Sequence, residues 1–150
     1  MSNFDNSPME RAIIAATEAG EAGEVPVGAV ITLSGEIIAV AANSMRKNFA
    51  AIAHAEMLVI GMAMEKLGSE RLENCDLYVS LEPCTMCAGA ISHARIRRLY
   101  FAASDIKAGA VENGVRFFEQ ASCHHRPEVI SGIAEDRSRA LLKNFFSSRR

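Results

Sequence analysis

The sequence predicts an α/β fold, a three-layer α/β/α sandwich around a mixed sheet of about five strands. Three observations predict it. Two β-branched runs, Val27–Ile31 and Glu36–Val40, flank Ser34-Gly35 and read as a hairpin. Further on, short apolar runs alternate with helical stretches, the pattern that feeds parallel strands through crossover helices. The chain has 150 residues and neither an internal repeat nor a low-complexity linker. A chain of that size buries about 68–70% of its unfolded surface, enough for one core. Residues 1–150 are therefore read as a single domain.

Each element has its own signal. From Pro8 to Gly20, Met9, Ala12, Ile13, Ala16 and Ala19 recur at helical spacing, with Ser7 as the cap. Gly20 and Gly23 end that helix, and Glu24-Val25-Pro26 turns the chain into the hairpin. Polar and small residues from Asn43 to Ile52 form a loop that leads to a second helix, from about Ala53 to Lys66. Asp76–Ser80 is the next strand, followed by a small-residue helix over Cys84–Ala94 with Pro83 at its first position. Arg98–Ala103 carries two aromatics in a short apolar run and reads as a strand parallel to Asp76–Ser80. Lys107–Gly114 is loop, with Phe117 and Phe118 placed to pack beneath it. Glu128–Ser131 is the last strand, and Ala134–Phe146 a final helix with Ala140, Leu141, Leu142 and Phe145 for burial.

Composition excludes several classes. Hydrophobic residues make up 49% and charged residues 23%, values of a globular rather than a disordered chain. No apolar run reaches membrane-spanning length, and Met1–Asn6 lacks the basic-then-apolar pattern of a secretory signal, so the expected location is the cytoplasm, with no membrane partner. In that compartment the four cysteines are expected reduced, not paired as disulfides. The net charge of −2 gives no general case for nucleic acid. Its distribution differs: residues 1–40 hold six acids and one base, whereas Arg137, Arg139, Lys143, Arg149 and Arg150 close the chain with no acid after Asp136.

The chemistry concentrates in two segments. Pro83-Cys84-Thr85-Met86-Cys87 runs from a strand into a helix N-terminus, where unpaired amides and the macrodipole favour thiolates. His54-Ala55-Glu56 lies thirty residues upstream of Cys84, at the start of an apolar helical stretch. Two thiolates and a neutral imidazole are a catalytic zinc set, leaving the fourth tetrahedral position open. At about 100° per residue, His54 and Glu56 stand roughly 200° apart on an ideal helix. They serve one centre only from a first turn, which places Ala53 or His54 at the helix start, with His54 as ligand and the Glu56 carboxylate reaching bound water.

These two segments together match the signature of zinc deaminases. With Glu24-Val25-Pro26-Val27-Gly28-Ala29-Val30, Leu81–Ala90 and Phe145-Phe146, they make the chain resemble the bacterial tRNA adenosine deaminases, within the cytidine/deoxycytidylate deaminase superfamily, over nearly its whole length. Ser92–Ile96 and the loop Asp105–Ala110 carry the likeness toward the tRNA enzymes.

The resemblance implies a cytidine-deaminase-like sandwich that converts the wobble adenosine of a tRNA anticodon stem-loop to inosine with release of ammonia. It implies one Zn²⁺ per subunit, held by His54, Cys84 and Cys87, with Glu56 as the proton shuttle. Asn43 would hydrogen-bond the flipped base, and Val27 and the Ala55 backbone would line its pocket. Asp105, Lys107, Phe145 and Phe146 would meet RNA, and the protein would be a homodimer with tRNA touching both subunits. One departure stands out: Ala50-Ala51-Ile52 occupies a stretch where the family usually carries an acidic residue and a threonine.

Three other readings compete. A deaminase of a free base such as guanine or cytosine would share the zinc chemistry. A thioredoxin-like thiol oxidoreductase also has a strand, C-x-x-C and a helix N-terminus, but gives His54 and Glu56 no task. A non-catalytic RNA-binding module would close a structural zinc with Cys75 as fourth ligand.

Overall fold

The structure, a computed structural model, describes residues 7–149, so the reading of Met1–Asn6 lies outside the described residues, as does Arg150. Helix α1 (Pro8–Glu21) opens as its sequence predicts: Ser7 Oγ accepts the Glu10 N–H at 3.1 Å, and Pro8 fills a position whose amide needs no partner. Strands β1 (Gly28–Leu33) and β2 (Glu36–Ala42) form an antiparallel hairpin. Its turn holds Ser34 at φ 52° and Gly35 at φ 81°, the two positive values that a tight hairpin turn requires.

Helix α2 (Ala55–Leu67) ends on Gly68 in the left-handed conformation. Strand β3 (Cys75–Leu81) leads into α3 (Thr85–Ala94), then β4 (Arg98–Ala103), a single 3-10 turn at Phe117–Glu119, β5 (Glu128–Ser131) and α4 (Glu135–Ser147). The helix after β3 starts later than its sequence suggests. Pro83 stands before the helix and Cys84 is its N-cap, in extended conformation at ψ 177°. This swings Cys84 out of the helical path while Cys87 remains in the first turn.

The five strands form one sheet in the order β2-β1-β3-β4-β5. β1 is antiparallel to both β2 and β3, whereas β3, β4 and β5 run parallel, so the sheet is mixed as expected. Side chains alternate across it. Val30 and Ala102 pack with Met9, Ala12, Ile13 and Leu141 beneath α1 and α4; Ile31 and Val79 pack with Val59, Ala63, Ala88 and Ile91 beneath α2 and α3. The N-termini of α2 and α3 meet on that second face. None of the described helices is long and apolar enough to cross a membrane.

Candidate metal centre and active site

His54 is the N-cap of α2, in extended conformation at ψ 149°, and its side chain makes no capping hydrogen bond. The imidazole is thereby free to turn toward α3. Its Nδ1 lies 3.7 Å from Cys84 Sγ and 3.5 Å from Cys87 Sγ, and the three atoms all lie within 4.8 Å of one another. Tetrahedral zinc with ordinary Zn–S and Zn–N bonds sets nitrogen and sulfur about 3.6 Å apart. The donor set therefore fits the ion in both chemistry and spacing. Cys75 opens β3, at the far end of that strand from Cys84, and is no member of the cluster, which removes the fourth ligand of a structural site. A dithiol redox site would likewise leave unexplained an imidazole nitrogen held against both sulfurs.

The two thiols sit in different electrostatic surroundings. A hydrogen bond from Cys87 pulls the Cys84 thiol down to about 5, against burial and with help from the Cys87 and Met86 amides and His54. The same bond, with burial and the nearby Glu56 and Cys84 charges, pushes Cys87 up. Glu56, in the first turn of α2, is 4% exposed. Burial pushes its carboxyl up to about 7, opposed by its own backbone amide and the His54 charge. A carboxyl poised near neutrality can both accept and return a proton.

Asn43, Val27 and Ala55, the residues expected around the base, are neighbours joined by hydrogen bonds. Asn43, 6% exposed, accepts the Ala55 N–H on Oδ1 at 2.9 Å and donates Nδ2 to the Val25 carbonyl at 3.2 Å. An amide side chain has two Nδ2 hydrogens and two Oδ1 lone pairs, so capacity for a base edge remains. Val27 and Ala55 are buried beside it.

The outlying residues sit apart from the thiols. Asp105 Oδ1 accepts the Lys107 and Ala108 amides at 3.1 and 3.0 Å, shaping the turn after β4, while the Lys107 side chain is exposed. Phe145 and Phe146 pack edge to face, Phe146 50% exposed, with the Arg149 guanidinium 4.2 Å above the Phe145 ring. A groove of about 920 Å³ runs between that turn and α4, lined by Lys107, Leu142, Phe146 and Arg149 among others. The basic run is partly engaged: Arg137 pairs with Glu10 and Arg139 with Glu135.

Sequence reasoning missed two buried carboxylates. Glu24 accepts the Arg46 and Lys47 amides at 3.1 and 2.9 Å, holding the loop that leads to His54. Glu82 accepts amides from the segment after β4. Their faint signal is an acid within two residues of a proline beside an apolar strand, Glu24-Val25-Pro26 and Glu82-Pro83.

Comparison with known proteins agrees with this geometry. Residues 2–103 match the cytidine and deoxycytidylate deaminase zinc-binding region. A tRNA-specific adenosine deaminase of Agrobacterium fabrum is 58% identical, over 95% of this chain and 93% of its own length. One of Bacillus subtilis is 44% identical, over 95% and 88%. A solved structure from work on A-to-I editing by tRNA:A34 deaminases superposes with a TM-score of 0.90 at 58% identity, over 91% of this chain and 99% of that one. A guanine deaminase from Nitrosomonas europaea follows at a TM-score of 0.80 and 25% identity, over 93% and 83%. The chain belongs to the zinc-binding cytidine and deoxycytidylate deaminase family, among its tRNA-specific adenosine deaminases.

Proposed function

We propose that the protein hydrolytically deaminates the wobble adenosine of a tRNA anticodon to inosine. The observation that carries this is the approach of His54 Nδ1 to Cys84 Sγ and Cys87 Sγ with Glu56 buried at the same helix end. Zinc held by these three residues supplies the Lewis acidity that makes water a nucleophile at neutral pH. Glu56 then moves the protons. Its carboxylate takes one from the attacking water, gives it to the ring nitrogen beside the carbon under attack, and passes the next to the departing amine. Water and adenosine become inosine and ammonia, and the carboxylate is restored.

Asn43 and the Ala55 backbone hold the base edge, and Val27 forms an apolar wall. Lys107 and Phe146 stand along the groove beside the turn after β4, where a cation and an exposed ring suit a phosphate backbone and an unstacked base. Asp105 contributes to RNA binding through the turn that it shapes, and Phe145 by seating Arg149 beside Phe146. The same proposal places residues 1–150 in one deaminase domain, in the cytoplasm, where tRNA is found.

A homodimer completes it. The outer face of α2 and α3 suits a second copy: Met62 is 46% exposed, and a Cβ added at Gly61 or Gly89 would meet nothing within 4 Å beyond its chain neighbours and its own helix backbone.

The likeness to a guanine deaminase favours one second reading, turnover of a free base. Incubating the zinc-loaded protein with an anticodon stem-loop, free guanine and free cytosine separates the two. Inosine in the RNA alone is the expected result; turnover of a free base alone would keep the chemistry and overturn the substrate.

A further inference from the structure

Glu82 follows β3 and precedes Pro83-Cys84, and it is 2% exposed. A buried carboxylate must be paired or fully hydrogen-bonded. Among the described residues no cation pairs with Glu82; its two oxygens accept five N–H groups instead. Oε1 takes the Asp105 amide at 3.0 Å and the Asn113 side chain at 2.7 Å. Oε2 takes the amides of Val111, Glu112 and Asn113 at 3.0, 2.9 and 3.1 Å. Together these five bonds satisfy both oxygens of the buried carboxylate.

The segment from Asp105 to Gly114 is wound around this one carboxylate, and two glycines let it close. A Cβ at Gly109 would lie 2.4 Å from the Asp105 carbonyl and 2.5 Å from Glu82 Cδ. Gly114, at φ +57°, would place one 2.4 Å from the Gly109 carbonyl. The Ala110 amide also donates to the Pro83 carbonyl at 2.9 Å, next to the metal-binding Cys84. The inner edge of the segment is thus tied to the turn that presents Cys84. Its outer edge, Asp105 to Ala108, walls the groove that Phe146 and Arg149 share.

We propose that Glu82 is a positioning residue for RNA binding. It touches neither substrate nor metal; it fixes the 105–114 segment against the metal-binding turn, and so sets how tightly the strand flanking the reacting base is held. The inference rests on the tRNA reading above. Its energetic signature is particular: loss of a contact made equally in the ground and transition states raises KM and leaves kcat unchanged. A carboxylate that only stabilised the fold would change the active fraction and leave KM alone.

The test uses zinc-loaded wild type, Glu82→Gln and Asn113→Ala, each with its zinc content measured, on an anticodon stem-loop. Glu82→Gln sets an amide hydrogen against the backbone donors, and Asn113→Ala removes one of the five bonds while keeping the carboxylate. KM should rise about tenfold in the first and two- to threefold in the second, with kcat per zinc-loaded protein within about twofold. Unchanged KM in both variants, or a fall confined to kcat, overturns the inference. If Glu82→Gln does not fold, Asn113→Ala decides alone: raised KM supports the positioning role and unchanged KM refutes it. A wild type that leaves the stem-loop untouched removes the tRNA reading and this inference with it, a result unlike any produced by the variants.

Discussion

Asn43 caps the helix that His54 opens. Its Oδ1 accepts the Ala55 amide at 2.9 Å from twelve residues away, while the N-cap side chain makes no capping hydrogen bond and is turned toward Cys84 and Cys87. A histidine cannot both point at a metal and satisfy its own helix, so the task passes to a neighbour. Asn43→Ala leaves that amide buried without a partner. The expected loss is about 1–2 kcal/mol in urea denaturation, together with weaker zinc retention in a chelator competition. Unchanged values for both would show that the cap is dispensable.

Gly28 predicts a steric limit on the packing of α1. A Cβ there would lie 2.0 Å from the Ala12 carbonyl oxygen and 2.7 Å from the Ala16 nitrogen, both helix backbone. Gly28→Ala therefore has to push α1 off β1, at a cost of about 3 kcal/mol or more. Thermal unfolding of the variant should show a clear fall in midpoint.

Glu10 and Arg137 join α1 to α4 and make stability depend on acid. The hydrogen bond from Arg137 holds the Glu10 carboxyl below its ordinary value in the folded chain. The stabilisation is thus complete above the unfolded carboxylate pKa and is lost as pH falls through the lower, folded value. Arg137→Ala should narrow the stability difference from wild type as pH falls from 6 toward about 3. A difference that stays constant over that range would contradict the pairing.

The clustering of His54, Cys84 and Cys87 was legible because the signals that set each at a helix start are local. Spacing alone puts Cys84 and Cys87 at one helix start, and His54 with Glu56 at another. The hairpin was legible from Ser34-Gly35, which supplies the two left-handed residues of its turn. Pro83 misled by two positions: a proline before a helix and a proline in its first position look alike until the extended Cys84 backbone is seen. Glu82 was not legible. Its partners lie 23 to 31 residues away, and backbone amides have no side-chain identity for a sequence to display. The Asn43 cap is hidden for the same reason, since an asparagine in a polar loop is usually a turn former.

The central claim is that one buried carboxylate moves the protons at a centre that other residues hold together. Inosine formation in an anticodon stem-loop, measured under single-turnover conditions with zinc-loaded wild type and Glu56→Ala at matched zinc content, tests it most directly. The account predicts a rate lower by about two to four powers of ten in the variant, with zinc retained and stem-loop affinity nearly unchanged. A variant that keeps the wild-type rate with zinc in place would contradict it.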